Sequence, residues 1–464
     1  MNIDNSRSGV SRVAHDQPVT YPLLDRQPDA VVYRARGKDI SAAGFLQAAY
    51  RAAESLPEAP FVINACCERL SFAVMFAAAL LRNQTTLLCS DRTPERVREV
   101  ADQYPDPYLA TDDPDLDCGV RRHVVSESLF AAIAGSPSMP SFAATTIAAI
   151  VFTSGSTGTP APHQKTWGAL AERSMAAAAC FGFSREHSAH IVGMVPAQHM
   201  YGFETTVLLP LHVPASTWCS AAFYPHDVAA ALWSIPAPRV LVTTPLQIGA
   251  LLRASIELPP LDRIISATAP LARELAETAE RRWHTEVHEI FGATEVGSIA
   301  HRRTTQDDIW QTYPGVRLQY AAAGDAQSAL VMAPFAAPHP LSDVVELEDA
   351  THFRLVGRRS DLIKLGGRRV SLAELNRVLN GIEGVIDGQF VTPADLETQP
   401  NARLQVFAVA PQREANDILT ELRRRIDPLF LPRRVVLVDR LPRNEAGKLT
   451  AAEIGVLRRD RPDL

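Results

Sequence analysis

Lysine is scarce in this chain of 464 residues, since only four of its 46 basic residues are lysine. They are Lys38, Lys165, Lys364 and Lys448. Arginine serves everywhere else, so a remaining lysine can mark a place that needs a compact point charge instead of a planar guanidinium. The surroundings of each lysine must decide whether it belongs to a site.

Long apolar runs and paired cysteines are also lacking. The longest uncharged apolar run, residues 72–81, is far too short to cross a bilayer, and the polar N-terminus has no apolar signal core. We therefore expect a cytoplasmic protein that does not enter a membrane. The six cysteines show neither CxxC nor metal-ligand spacing, which predicts reduced thiols in the core. No repeat period of 20–50 residues is present, which argues against a solenoid.

Two common catalytic motifs are missing. No stretch fits GxxxxGK[ST], which disfavours a P-loop kinase or GTPase. No GxSxG elbow is found either, which disfavours a serine hydrolase. The net charge of −6 argues against a general nucleic-acid binder.

Charge is unevenly distributed along the chain. From Gly357 onward there are 19 basic and 15 acidic residues, so this part carries +4 and residues 1–356 carry −10. A basic C-terminal part could receive an acidic or phosphorylated partner. Solvated surface charge without a role is the alternative.

Strand-like and helix-like stretches alternate from about residue 31 to 355, as in "PFVINAC" followed by "RLSFAVMFAAALLR". This alternation predicts an α/β fold whose large N-terminal domain contains layered, largely parallel sheets and helices. A charged Gly/Arg/Ser turn then suggests a boundary. We predict an N-terminal domain of residues 1–356, a boundary near 357–361, and a small α+β domain of residues 357–464.

The stretch "FTSGSTGTPAPHQKTW" (152–167) follows a run, "TTIAAIVF" (145–152), that predicts a buried strand. Its glycines and hydroxyl residues can surround an anion with N–H and O–H groups. A phosphate loop usually also carries a cation, yet the first lysine here is Lys165. From these residues alone, a nucleotide loop and a simple turn both stay open.

Four stretches together resemble the adenylate-forming superfamily of acyl-CoA synthetases, peptide-synthetase adenylation domains and luciferases. They are "TSGSTGTP" (153–160), "FGATE" (291–295), "GRRSDLIKLGGRRVSL" (357–372) and "LPRNEAGK" (441–448), in the order and spacing of that family. The resemblance covers roughly residues 30–455. It implies an AMP-forming acid–thiol ligase that uses ATP and Mg²⁺. Its partners would be a small carboxylic acid and either coenzyme A or an acyl carrier protein.

The resemblance also implies roles for residues that bind ATP. The loop holding the β- and γ-phosphates would consist of Thr153, Ser154, Gly155, Ser156, Thr157 and Gly158. Phe291, followed by Gly292, would stack on adenine, Thr294 would contact the α-phosphate, and Glu295 would help hold Mg²⁺. In "LSDVVEL", where the family usually has TGD, Asp343 would accept from the ribose hydroxyls, and Arg358 would reach the ribose or a phosphate.

The acid pocket is expected near "MVPAQHMYGFETTVLLPL" (194–211), where His199 matches the family's gating aromatic residue and is followed by Tyr201 and Gly202. "SATAPL" (266–271) would provide a floor at Ala267 and Thr268 and part of the adenine wall at Ala269. The sequences of these motifs resemble those of ligases of aryl-polyene and xanthomonadin-type pathways. This resemblance implies that the substrate is an aryl acid such as a hydroxybenzoate. An aliphatic or 3-hydroxy acid is the alternative, and a non-catalytic nucleotide-binding scaffold is the alternative of another class.

The resemblance implies that the C-terminal domain is mobile about a hinge near 357–361 and that it supplies the thiol channel and a catalytic lysine. The family's hinge position is Ser360 here, with Asp361 next, so the identity of the pivot is open. Gly367 would let the pantetheine pass close to the backbone, and Lys448 would bridge carboxylate and phosphate oxygens during adenylation.

The family's loop lysine position holds Ala161 instead. If a helix begins at Pro160 or Pro162, Lys165 shares a face with Ala161 and could return its charge to the loop. The alternative is a surface lysine.

Overall fold

The structure is a computed structural model. It describes residues 18–35, 37–90, 92–130, 137–154, 160–186, 188–254, 256–321, 329–358, 362–365, 368–392 and 403–443, together with residues 449 and 455.

Within these residues, the N-terminal part contributes ten strands to three sheets. These strands are β1 (Thr20–Pro22), β2 (Val31–Ala35), β3 (Lys38–Ser41), β4 (Phe61–Asn64), β5 (Thr85–Leu88), β6 (Tyr108–Thr111), β7 (Arg122–Val124), β8 (Ser141–Ala143), β9 (Ile147–Ser154) and β10 (Pro160–Thr166). Six of them form a sheet of order β10-β9-β5-β4-β6-β7, which is parallel except for β10. The predicted strand before the Ser/Gly stretch is therefore confirmed as β9, and β10 is its antiparallel edge neighbour.

Helices cover this sheet and fill the space beyond it. They are α1 (Ala42–Ser55), α2 (Arg69–Leu81), α3 (Pro94–Ala101) and α4 (Trp167–Phe181). Almost every residue of α2 is buried, as expected for a helix that is apolar on all sides. Phe72 and Phe76 of α2 stack against Phe203, and Phe76 also packs against Trp167 at the start of α4.

A second, larger sheet follows. Its later strands are β11 (Ala189–Gly193), β12 (Ala215–Trp218), β13 (Arg239–Thr243), β14 (Arg263–Ser266), β15 (Glu286–Ala293), β16 (Gly297–Arg303), β17 (Ile309–Thr312), β21 (Asp343–Leu347) and β22 (His352–Arg358). Among the described residues the order is β21-β22-β17-β16-β15-β14-β13-β11-β12-β2-β3, and the block from β15 to β2 is parallel. The strands β18 (Arg317–Tyr320), β19 (Ala329–Met332) and β20 (His339–Pro340) form a small separate sheet.

A helical segment, residues 200–212, and three further helices belong to this half of the chain. The segment consists of α5 (Met200–Gly202), a π-helical stretch (Phe203–Leu208) and α6 (Leu209–His212); the other helices are α7 (Pro225–Ser234), α8 (Pro245–Arg253) and α9 (Arg273–Trp283). Arg69 fixes the segment to the sheet, because its guanidinium donates to Thr206 Oγ1 at 2.9 Å and to the carbonyl of Val195 at 2.8 Å.

The C-terminal part is a small α+β unit, as predicted. It contains β23 (Leu362–Leu365), β24 (Arg368–Ser371), α10 (Leu372–Asn380), β25 (Asp387–Val391), β26 (Gln405–Val409), α11 (Ala415–Arg425) and β27 (Val435–Leu437). Leu375 and Leu379 of α10 pack with Ile418 and Leu422 of α11 against Phe390. The α/β fold class is confirmed. Within the described residues, no helix combines the length and apolar character needed to traverse a membrane.

Candidate active site

Several of the predicted site residues lie where the parallel strands of the large sheet end. Ala267 and Thr268 follow β14, and Thr294 and Glu295 lie in the turn between β15 and β16. His199 follows β11 by a short loop and precedes α5 directly. Ligands of open α/β sheets bind beyond the carboxyl ends of the strands, so this edge is the expected place for a site.

The turn after β15 holds Thr294 and Glu295, whose side chains are half-buried. It is closed by a hydrogen bond of 3.0 Å from the Val296 N–H to the Ala293 carbonyl. Lys165 Nζ donates to the Glu295 carbonyl at 2.6 Å. Within the described residues no group donates a hydrogen bond to the Glu295 carboxylate, which leaves this carboxylate able to accept a ligand.

Lys165 does not lie on a helix, so that part of the hypothesis was wrong. Residues 160–166 form β10, whose Lys165 pairs with Ala149 of β9. Ala161 and Lys165 still share a face, because side chains alternate along a strand, but four residues separate them by about 13 Å. Lys165 is buried and reaches the turn after β15.

Burial lowers the pKa of Lys165 to about 8, and the nearby carboxylates of Glu204 and Glu295 partly offset that effect. The cluster around it is unusual, since Lys165, Arg173 and Glu204 are all buried. Taking three charges out of water costs free energy unless they compensate one another. We therefore expect this cluster to cost folding free energy and to serve the function of the site.

The predicted phosphate loop is described only at its start. Thr153 and Ser154 end β9 and pair with Ala161 and Pro160 of β10. Other predicted positions lie outside the described residues: Gly155, Ser156, Thr157, Gly158, Ser360, Asp361, Gly367 and Lys448. Their roles stay predictions.

His199 and Tyr201 sit at the start of the segment 200–212. His199 is half-buried and directly precedes the first helical turn. The Tyr201 hydroxyl lies 2.8 Å from the Ile265 carbonyl and 3.1 Å from the Thr243 carbonyl. Tyr201 is buried and is therefore fixed to β13 and β14 by its hydroxyl.

Gly202 and Thr268 occupy constrained backbone positions. A Cβ at Gly202 would collide with the Pro196 carbonyl, so the loop before α5 can approach only because this residue is glycine. Thr268 has a φ of +79°, a conformation that is strained for a residue with a side chain. Ala267 before it is buried, and Ala269 after it is exposed at the same edge.

Phe291 packs mainly into the core. Its ring lies 5.6 Å from that of Trp310 and 5.6 Å from that of Phe353, and only 9% of the residue is exposed. The predicted stacking on adenine would have to use this small exposed edge, and it stays a prediction. Gly292 is exposed, and a Cβ there would lie 2.7 Å from the Gly297 carbonyl.

Asp343 and Arg358, both predicted near the ribose, are register partners on the antiparallel strands β21 and β22. Asp343 is buried at the start of its strand. The two predictions therefore fall on one place in the fold, at the edge of the large sheet that lies beyond β16 and β17.

Sequence reasoning missed the buried charges beside this site. Glu204 is a single acidic residue in the apolar stretch 200–211, and Arg173 lies in the Ala-rich helix α4. The isolated charge of Glu204 was the available signal, because a buried carboxylate needs partners. Its partners were not visible, since Ser298 and Arg173 come from distant parts of the chain.

A sequence model of the family described as AMP-binding enzyme matches residues 40–321, more than half of the chain. The chain is 28% identical over 309 residues to the 4-coumarate–CoA ligase of Halorhodospira halophila, covering 64% of this chain and 73% of that protein. It is 23% identical over 376 residues to the L-proline–[L-prolyl-carrier protein] ligase of Streptomyces coelicolor, covering 70% and 68%. Its fold is similar to that of the o-succinylbenzoate coenzyme A synthetase of Bacillus subtilis in complex with ATP and magnesium ion. The TM-score is 0.76 at 17% identity, over 93% of this chain and 98% of that one.

Proposed function

Since the chain belongs to the AMP-binding enzyme family, we propose that it is an AMP-forming acid–thiol ligase. In the first step a carboxylate oxygen attacks the α-phosphorus of ATP, an acyl-AMP forms, and pyrophosphate leaves. In the second step a thiol sulfur attacks the acyl carbonyl carbon, a thioester forms, and AMP leaves. The hydrogen bond between Lys165 and the Glu295 carbonyl carries the proposal, because it holds the strand after the phosphate loop to the turn with Thr294 and Glu295.

ATP and Mg²⁺ are the proposed cosubstrate and metal. The half-buried carboxylate of Glu295 fits the metal, since Mg²⁺ commonly binds one or two carboxylates together with substrate phosphates and water. When bound, the ion offsets the negative charge that builds up on the phosphate oxygens. Thr294 would position the α-phosphate, and Asp343 would accept hydrogen bonds from the ribose.

Lys448 is the proposed group that brings positive charge to the reacting oxygens. Loss of such a preorganised charge lowers the rate by about 10²–10³-fold. We propose that residues 357–464 move relative to residues 1–356 about a hinge near 357–361, so that Lys448 is present for the first step and Gly367 for the second. Domain closure of this kind is a common way to order two half-reactions.

An aryl acid is the proposed substrate, bound between His199, the ring of Tyr201 and the floor at Ala267 and Thr268. The similarity to a 4-coumarate–CoA ligase supports an aromatic acid. For the acceptor, coenzyme A and an acyl carrier protein are both proposed, because the relatives include ligases of both kinds. The cytoplasm is the proposed location.

The test is pyrophosphate release by the full chain with Mg-ATP and a panel of aryl, aliphatic and 3-hydroxy acids. Release that depends on an aryl acid, and that falls at least about 10²-fold in Glu295→Gln, supports the proposal. Release only with aliphatic acids would leave a ligase but contradict the aryl substrate. No release with any acid would favour a nucleotide-binding scaffold. Adding coenzyme A and a phosphopantetheinylated carrier protein in turn then identifies the acceptor.

A further inference from the structure

Helix α7 presents an apolar face to solvent. Three large side chains on and next to it are exposed: Phe223 by 50%, Tyr224 by 74% and Trp233 by 57%. Tyr224 directly precedes the first residue of the helix, and Trp233 lies in its last turn. Exposed aromatic side chains grouped on one element are typical of a surface that contacts another molecule.

This exposure does not come from a loosely docked helix. Val228, Ala231 and Leu232 on the opposite side of α7 are buried and belong to the core between the large sheet and the helices α7, α8 and α9. Val192 of β11 and Leu241 of β13 are part of the same core. One side of α7 therefore holds the helix in the fold, and its exposed face is available to a partner.

The exposed face of α7 combines Trp233 with small residues. His226, Ala230 and Trp233 follow one another at helical spacings of four and three residues, so they lie on one side of the helix, and all three are exposed. Ala229 beside them is half-buried. Because Ala229 and Ala230 have short side chains, a second helix can approach the middle of α7 closely.

The charge of this region excludes several classes of partner. The twenty residues 219–238 contain neither lysine nor arginine, and their single acidic residue is Asp227. The neighbouring Arg239 donates through Nε to the carbonyls of Leu232 and Ile235, at 2.9 and 3.0 Å. A nucleic acid, an anionic lipid surface or an acidic carrier protein would need basic side chains here. An uncharged, partly aromatic protein surface fits instead.

A second copy of the chain offers such a surface. In an antiparallel pair of α7 helices, a two-fold axis between Ala229 and Ala230 sets these alanines against each other. The same axis places Trp233 of one copy beside His226 and Tyr224 of the other, because their distances from the axis along the helix differ by about 3 Å at most. Aromatic side chains then cover both ends of the contact, and no like charges meet at its centre.

The available area is sufficient for a dimer. At roughly 200 Å² per aromatic side chain, Phe223, Tyr224 and Trp233 expose about 350 Å² on each copy. A specific interface needs about 1,000 Å² in total, so about 150 Å² more is required from each copy. Exposed residues of the same stretch can provide it: Ala221, His226, Ala230, Ser234, Pro236 and Ala237.

We propose that two copies of the chain form a dimer through the exposed face of α7, with the two helices antiparallel and Ala230 next to the two-fold axis. Trp233 is the main anchor, because tryptophan is among the residues that contribute most to the stability of protein interfaces. The dimer does not depend on the proposed ligase activity, so its test needs no substrate.

Analytical ultracentrifugation of the full chain tests the dimer. We expect a mass of twice 50.6 kDa that dissociates on dilution. Trp233→Ser removes the anchor, and Ala230→Glu sets two carboxylates against each other at the axis, so each should raise the Kd of the dimer at least about tenfold. Val124→Ser is the matched control, since it changes an exposed apolar side chain of the other sheet, and it should leave the dimer unchanged.

Disulfide formation tests the orientation of the helices. In a Cys67→Ser background, which removes an exposed thiol, Ala230→Cys should form a covalent dimer under mild oxidation. Ser234→Cys should not, because the two copies of residue 234 lie more than about 13 Å apart in the antiparallel pair. These two variants keep the proposal testable if Ala230→Glu fails to fold.

Three results would overturn the dimer: a monomer at every concentration, a dimer that Trp233→Ser and Ala230→Glu both leave intact, or equal cross-linking at positions 230 and 234. A monomer that instead sediments with vesicles of neutral phosphatidylcholine would show that the face binds lipid, which would also contradict the proposal.

Discussion

Two buried glutamates in the same half of the molecule differ in how completely they are paired. Glu289 accepts from both Arg302 Nε and Nη2, at 2.9 and 2.8 Å, from Thr304 Oγ1 at 3.0 Å and from the Leu271 N–H at 2.9 Å. Arg302 also lies over the Trp310 ring at 4.5 Å. Glu204 is held by Ser298 alone among described hydrogen-bond donors, and its neighbour Arg173 keeps an unused donor toward a cavity.

The difference lies in how completely each buried carboxylate is hydrogen-bonded. The pair of Glu289 and Arg302 repays its desolvation with hydrogen bonds inside the protein. Glu204 repays its desolvation mainly through Ser298. Both glutamates have a pKa raised by burial, so the completeness of the hydrogen bonds, and not the pKa, distinguishes them.

The largest expected effect contrasts the two arginines. Arg302→Met leaves Glu289 buried without its ion pair and should lower the free energy of unfolding by about 3–5 kcal/mol. Arg173→Met should cost less than Arg302→Met, because the Glu204 carboxylate keeps its hydrogen bonds from Ser298. Denaturant unfolding of both variants measures this. Equal losses of stability would show that the two pairs are equivalent and would contradict the comparison.

Gly297→Ala tests the support of Glu204. A Cβ there meets the Glu204 carboxylate and a backbone with φ of +103°, so we expect a loss of about 2–3 kcal/mol. Gly37→Ala is the matched control, since its φ is also positive, +73°, but no atom lies within 4 Å of the added Cβ. Both losses are measured by thermal or denaturant unfolding. Equal losses in the two variants would show that the contact with Glu204 does not require glycine at position 297.

Lys165 lies near the carboxylate of Glu204 and donates a hydrogen bond to the carbonyl of Glu295. Lys165→Met removes the hydrogen bond to the Glu295 carbonyl and should slow adenylation about tenfold, or about 1.4 kcal/mol. The exposed Lys38→Met is the control. Steady-state kinetics with varied ATP report both the rate and the apparent ATP affinity. If neither changes, Lys165 has no part in the site.

The smallest expected effect is a loss of folding stability at acidic pH. His301 packs at 5.9 Å from Phe181 and at 5.9 Å from Tyr313, both walls of the cavity, and burial lowers its pKa to about 4. The unfolded chain binds a proton near pH 6.5 and the folded chain does not, so stability falls as pH drops from 6.5 toward 4. His301 should contribute about 1 kcal/mol to the loss of stability between pH 7 and pH 5.5, and His301→Gln should lack that contribution. An identical pH profile for the variant, in unfolding experiments, would contradict this.

Much of the fold could be predicted from local patterns. The apolar run before the Ser/Gly stretch is β9, and the alanine- and phenylalanine-rich stretch is the buried helix α2. The strand β10 was misread as a helix because Pro160 and Pro162 suggested a helix start. Prolines are tolerated on an edge strand, where alternate N–H groups face away from the neighbour, and β10 is such a strand.

Only those site residues that lie together in a short sequence motif could be predicted. The motif "FGATE" pointed to Thr294 and Glu295, which lie at the end of a central strand. The cavity could not be predicted, because Arg173, Glu204 and Ser298 meet only through tertiary packing between α4, the segment 200–212 and β16. Side chains 94 residues apart, such as Glu204 and Ser298, leave no local pattern.

The central claim is that a carboxylate oxygen attacks the α-phosphorus of ATP. The most direct test supplies the enzyme with the preferred aryl acid carrying ¹⁸O in both carboxylate oxygens, together with Mg-ATP and a thiol acceptor. Mass spectrometry of the nucleotide then follows the label. An acyl-AMP intermediate predicts one ¹⁸O in the phosphate of each AMP released; unlabelled AMP, or formation of ADP instead, would contradict the account.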